Sequence, residues 1–214
     1  MVPVEELVGH LDDLLRPEEF DDYGPNGLQV PGAEAADTVV TGVSASAELF
    51  VRAREAGAGL VLVHHGLFWA GPPRALDPAA KRRLQLLFEA DLALAAYHLP
   101  LDAHLEVGNN ALLARALGAG SPEPFGPHNG RGDPVVVEGG ADADHLEDAI
   151  AQGLDAFLTG EPAERVMTRA DEAGIHFLAA GHYATETFGV QALGERLAGR
   201  FGVRHVFVDV PNPI

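Results

Sequence analysis

The chain contains no cysteine. Disulfide frameworks, zinc knuckles, iron–sulfur clusters and a cysteine nucleophile are therefore excluded. Lysine is almost absent too. Lys81 stands alone, so Schiff-base chemistry has a single weak candidate. Positive charge is scarce, with 14 Lys and Arg against 32 Asp and Glu and a formal net charge of −18. A surface of that sign opposes general nucleic-acid binding and anionic membranes, both of which favour clustered cations. No apolar run approaches the roughly 18 residues that span a bilayer. Met1-Val2-Pro3-Val4-Glu5-Glu6 has no basic stretch leading into an apolar one, so it does not read as a secretory leader. A soluble, cytoplasmic protein with no membrane partner is expected. What the chain does have is apolar content and histidine. Its 214 residues are 47% hydrophobic, enough for one core or two small ones, and ten histidines stand beside the one lysine.

Apolar spacing alternates between strand and helix. Val4, Leu7, Val8, Leu11, Leu14 and Leu15 mark a helix that Pro17 stops. Turn residues from Asp21 to Gly27 lead into a short strand ending at Val30. Strands are expected at Thr38–Val43, Gly59–Val63 and Leu92–Tyr97. The helices between them include one capped by Ser46 and one marked by Ala80, Leu84, Leu87 and Phe88. Another helix holds Leu112 to Leu117. Gly118 to Gly140 changes character, rich in Gly and Pro, and reads as a linker. The alternation then resumes: strand Val135–Val137, helix near Leu146–Ile150, strand Ala156–Thr159, helix Ala163–Ala173, strand Ile175–Ala180. A last helix carries Val190, Leu193 and Leu197 on one face, and Val206–Val210 reads as a closing strand. The expected fold class is α/β, with two layered α/β lobes. The boundaries read as 1–120 for the N-terminal lobe and 121–214 for the C-terminal lobe, the latter shortened after the linker.

Ligands of open α/β sheets collect at the carboxyl ends of strands. Three strands here lead into polar residues of metal-binding type. One ends in His64-His65, a second leads to His98 and Asp102, and a third leads to Gly181-His182-Tyr183-Ala184-Thr185-Glu186. Neighbouring strand residues point to opposite faces, so His64 and His65 suit two ions lying side by side better than one. His182 and Glu186 are four apart and share a face if a helix starts near Gly181. Asp102 follows Pro100 in what reads as a stiff non-helical turn. Three imidazoles and two carboxylates suit zinc, iron or manganese and show no preference for soft metals. Two dications and two carboxylates leave the site near +2, which would let an acidic protein hold a small anionic substrate at this one place. Two metals would also lower the pKa of a shared water.

Six segments, taken together, resemble one family. They are Gly24-Pro25-Asn26-Gly27-Leu28-Gln29-Val30, Val63-His64-His65-Gly66-Leu67-Phe68-Trp69, Tyr97-His98-Leu99-Pro100-Leu101-Asp102, Gly108-Asn109-Asn110, Leu158-Thr159-Gly160-Glu161 and Gly181-His182-Tyr183-Ala184-Thr185-Glu186. They resemble the YbgI-like (Nif-three-like) dinuclear metal-centre proteins, some of which are labelled type-two GTP cyclohydrolase homologues. The resemblance covers about residues 4–118 and 153–214. It implies two α/β lobes with a dinuclear site between them and a ring-shaped homo-hexamer. It also implies two divalent metal ions per chain on His64, His65, Asp102, His182 and Glu186, with Glu186 touching both ions. The stretch 119–152 is shorter than the family pattern.

Other residues stand around these ligands. His98 is assigned to catalysis, as a proton-transfer group beside the metals rather than a ligand. Asn26 is a turn residue placed near the metals by the resemblance. Glu161 is positioned either to cap the next helix or to face the site. Phe68-Trp69 reads as packing or an interface rather than a stacking platform, Arg82 and Arg83 as a solvated helix face, and Arg131-Gly132-Asp133 as a chance match to an adhesion motif. The activity implied is that of a dinuclear metal-dependent hydrolase, acting on a nucleotide, a purine-like ring or a phosphate ester. GTP is a weakly supported candidate, because no Gly-x-x-x-x-Gly-Lys loop is present to cradle a triphosphate. The rival expectation is a non-enzymatic metal-binding or adaptor protein assembled as a ring.

Overall fold

The computed structural model describes residues 1–71, 75–118, 127–128, 133–134 and 145–213. The expected strand Val135–Val137 and the Arg131-Gly132 pair lie outside these residues. The chain divides into two compact units. One comprises Met1–Leu101 and Gly189–Val210, the other Asp102–Phe188 and Pro211–Ile214.

The first unit is built on a five-stranded sheet. Its order is Arg204–Phe207, Thr38–Ser44, Leu60–His65, Ala93–Ala96 and Gly27–Val30. The first four strands are parallel, and Gly27–Val30 closes the edge antiparallel to Ala93–Ala96. The central strand, Leu60 to His64, is wholly buried, as expected of a parallel strand covered on both faces. The helix Ala47–Glu55 lays Leu49, Phe50 and Ala53 into the same core as Val40, Val61, Val63 and Leu94. Ser46 caps it, accepting the Leu49 N–H at 3.2 Å, a bond worth about 1 kcal/mol. The opening helix is Val4–Leu15, and its five buried residues are Val4, Leu7, Val8, Leu11 and Leu15.

The closing strand departs from the expected boundaries. A division at residue 120 places it in the second lobe. Its ladder from Arg204↔Thr38 to Phe207↔Thr41 instead makes it an edge of the first unit's sheet. It also begins two residues earlier than expected, and Val208, Asp209 and Val210 lie beyond it. Val208 is nevertheless buried in the core, so its apolar character reflects packing rather than strand pairing.

The second unit has a parallel pair of strands, Ala156–Thr159 and His176–Ala179. The helices His145–Ala151 and Glu164–Ala173 pack here. Leu146, Ala149, Phe157, Val166, Ala170 and Ile175 form a separate small core. Gly174 ends the second helix at φ +74°, the left-handed turn that glycine adopts without a Cβ penalty. Among the described residues no helix is long and apolar enough to cross a membrane.

Candidate metal centre

In the first unit, His64 and His65 end the strand Leu60–His65. His64 is fully buried and its Nδ1 lies 2.9 Å from the Tyr97 carbonyl oxygen. His65 is partly exposed, with Nδ1 3.2 Å from Ser44 Oγ on the neighbouring strand. His98 follows the next strand and completes a cluster. One ligand-type nitrogen from each of His64, His65 and His98 falls within 4.8 Å of the others. The His64 and His65 ring centroids stand 4.7 Å apart at the strand end.

The surrounding motif residues hold this cluster in place. Tyr97 is buried, and its hydroxyl donates to Asp12 Oδ1 at 2.6 Å. Burial and the Asp12 carboxylate raise its pKa far above the usual phenol range. Gln29 accepts the Leu67 N–H at 2.8 Å and donates to the Pro25 carbonyl at 2.7 Å. A Cβ at Gly66 would overlap the Gln29 amide and push it out of these two bonds. Trp69 donates to the Gly66 carbonyl at 3.1 Å and sets its ring edge-on to His98, 5.0 Å between centroids. Its neighbour Phe68 is exposed.

His98 carries a partner that sequence reasoning missed. Asp22 Oδ1 lies 2.7 Å from its Nδ1. The other oxygen, Oδ2, accepts Asn26 Nδ2 at 2.8 Å and the Leu99 N–H at 2.9 Å. Burial pushes the Asp22 carboxyl upward, but these bonds and the facing His98 outweigh it and hold it below the usual range. Asn26 is more than a turn residue: its Oδ1 accepts the His98 N–H at 2.7 Å. The signal available in sequence was the run Asp21-Asp22-Tyr23-Gly24-Pro25-Asn26, whose turn character masked a carboxylate facing inward.

In the second unit, the expected helix start is present. Gly181 precedes the helix His182–Thr185, and Glu186 ends it. His182 Nε2 lies 2.9 Å from Glu186 Oε1, and its Nδ1 lies 2.6 Å from Glu161 Oε1. Glu161 thus faces His182 rather than capping a helix. The hydrogen bond to Glu186 leads the causes that raise the His182 pKa to about 9, against the opposing effect of burial. Glu186 is nearly fully buried.

Asp102 is also buried, and accepts Asn109 Nδ2 at 2.8 Å. It does not sit on a non-helical turn, because Leu99–Ala103 is a short helix. Pro100 reads as a breaker in sequence, yet it occupies the second residue of this helix. An N–H there would have no intrahelical partner, so its absence costs nothing. The helix Asn109–Ala116, whose first residue fixes Asp102, packs on His182–Thr185.

The donor set suits divalent metal. All four histidines direct Nδ1 at a protein oxygen, and ring geometry then sends Nε2 the opposite way. A histidine that ligates metal is oriented in this manner by the bond its other nitrogen makes. Carboxylates stand beside His98 in the first unit and beside His182 in the second, and the sequence has no cysteine. The His182–Glu186 bond must yield its proton before an ion could take both atoms.

Fold and side chains together define a class: an α/β protein whose units carry His and Glu groups able to hold metal ions. A profile of the Duf34/NIF3 family (NGG1p interacting factor 3) matches residues 2–137 and 133–213. The GTP cyclohydrolase 1 type 2 homolog of Pseudomonas aeruginosa is 41% identical over 250 aligned positions, covering 99% of both chains. The homolog of Escherichia coli K12 is 39% identical, over 97% of this chain and 98% of its own. Among solved structures, protein ybgI matches with a TM-score of 0.88 at 35% identity over all of both chains. TTHA1606 from Thermus thermophilus matches at 0.85 and 37%, again over all of both. The chain belongs to the Duf34/NIF3 family. Its alignment with the Pseudomonas relative is longer than its own 214 residues, so that relative carries segments this chain lacks. The two stretches of the family match meet at 133–137, within the region read from sequence as shortened.

Proposed function

We propose that the protein is a metal-dependent hydrolase using two divalent ions, zinc, iron or manganese, held by His64, His65, Asp102, His182 and Glu186. The observation that carries this reading is the shared orientation of the three histidines proposed as ligands, His64, His65 and His182, each with Nδ1 on a protein oxygen. When bound, two such ions supply Lewis acidity, lowering the pKa of water and offsetting negative charge on a substrate. The residues do the rest. Tyr97 and Ser44 orient the two strand-end imidazoles, Asn109 holds the Asp102 carboxylate, and Glu161 fixes the His182 ring. His98 serves as the proton-handling group. With two dications in place the site would carry net positive charge, which suits small anionic substrates, nucleotides among them, and the names of the relatives make GTP one member of the set to be tried.

The test is elemental analysis of untagged protein after incubation with zinc, manganese or iron, followed by a screen of nucleotides and phosphate esters. About two ions per chain are expected, on two-metal chemistry, with hydrolysis that a chelator abolishes. His98→Ala should keep its metal and lose hydrolysis. Protein that takes up no metal would overturn the reading. Two ions with no hydrolysis of any substrate would favour a metal-binding or adaptor role.

A further inference from the structure

We propose that Asp22 is a positioning residue that fixes His98 in the tautomer carrying its proton on Nδ1, leaving Nε2 to act as the acceptor. The inference deepens the hydrolase reading and rests on it for the use to which Nε2 is put.

The geometry carries it. Asp22 is an acceptor with four donors around it. Oδ2 takes Asn26 Nδ2–H and the Leu99 N–H at 2.8 and 2.9 Å. Oδ1 takes the Tyr23 N–H at 2.6 Å and stands 2.7 Å from His98 Nδ1. An ionised carboxylate can only accept, so the nitrogen facing it must carry the proton. Two further contacts restrain His98. Asn26 Oδ1 holds its backbone N–H at 2.7 Å, and the Trp69 ring abuts its imidazole edge-on. With Nδ1 committed, Nε2 points away from Asp22, on a ring whose centroid is 5.0 Å from that of His64. In hydrolysis, Nε2 would take the proton of the attacking water as its oxygen bonds the electrophilic centre. The same proton would then pass to the leaving group as its bond breaks. The imidazole ends neutral and unchanged, and Asp22 gains no proton at any stage.

Asp22→Asn reverses the logic without changing size. An amide has one oxygen. Oriented to keep the two bonds to Asn26 and Leu99, it gives up the one to the Tyr23 N–H and turns its NH₂ toward His98, which must then accept on Nδ1 and carry its proton on Nε2. The test is long-range ¹⁵N–¹H correlation on histidine-labelled protein, metal-free and zinc-loaded, above the ordinary histidine pKa range. His98 is assigned by its loss in His98→Gln. In the wild type the protonated nitrogen should be Nδ1, and in Asp22→Asn it should be Nε2. Zinc content of the variant should match the wild type. A wild-type His98 protonated on Nε2 overturns the proposal, and that measurement needs no variant to fold. A folded Asp22→Asn with the wild-type tautomer overturns it as well. An inverted tautomer accompanied by metal loss as severe as in His65→Ala would leave the positioning role standing. It would make His98 a ligand and overturn instead its part in the hydrolase reading.

Discussion

Two carboxylates of similar burial are assigned unequal tasks at the proposed centre. Glu186 and Asp102 are both 2% exposed. Glu186 lies within hydrogen-bond reach of His182, and the Asp102 carboxylate accepts the Asn109 amide. The family resemblance implies that Glu186 would touch both ions; a carboxylate so placed would offset repulsion between dications, and its removal would unseat both. Glu186→Ala should therefore lose most of both metals, and Asp102→Ala should keep about one. Elemental analysis measures this, with circular dichroism to confirm folding. A Glu186→Ala protein that keeps both ions would mean that the bridge is assigned to the wrong carboxylate. The ligand-type residues were legible in the sequence because imidazoles at strand ends are few and chemically distinctive. Asp22 was not. A carboxylate in an Asp-Asp-Tyr-Gly-Pro turn looks like ordinary turn chemistry until the chain near residue 98 folds against it. The hydrogen bond joins residues 22 and 98, a separation that no local pattern encodes.

The helix Thr187–Phe201 holds two glycines in opposite situations. Gly199 is exposed, and a Cβ there would meet nothing within 4 Å. Gly194 is buried, and a Cβ there would overlap the His205 ring, which is anchored 2.8 Å from Thr41 Oγ1. Alanine favours a helix over glycine by about 1 kcal/mol. Gly199→Ala should gain up to about that much. Gly194→Ala receives the same gain but must displace a hydrogen-bonded ring, and overpacking of this kind costs roughly 1–3 kcal/mol. Its net effect should be a loss. Urea midpoints of the two variants decide the matter, and a stabilised Gly194→Ala would show that the ring moves freely. Most elements were readable from apolar spacing, as the Val4–Leu15 helix and the Ser46 cap illustrate. The exceptions have specific causes. Pro100 looked like a stop and is an early helical residue. Phe88 looked like core and is 63% exposed, because only Leu87 of its helix is fully buried.

For the whole molecule we expect a homo-hexamer. The expectation comes from the family resemblance, and exposed apolar side chains in the first unit accord with it: Leu28, Phe68, Leu76 and Phe88. Light scattering at micromolar concentration should return six times the 22.5 kDa chain mass, and a monomer mass would refute it. The α/β class and the metal-type residues could be read in advance, but the partition of the chain could not. Apolar spacing identifies a strand without identifying its neighbour, and the pairing of Arg204–Phe207 with Thr38–Ser44 spans most of the sequence. That pairing bears on biosynthesis. The first unit is assembled from two stretches of chain, and the second unit's main segment is translated in the interval between them. On the ribosome, Thr38–Ser44 emerges early and must wait with one hydrogen-bonding edge open until Arg204–Phe207 is made. A waiting strand of this kind is a template for wrong pairing with other nascent chains. Slow elongation through residues 102–188 would lengthen its exposure, so yield in a cell should depend on translation speed and on holdase chaperones more than the stability of the finished fold would suggest.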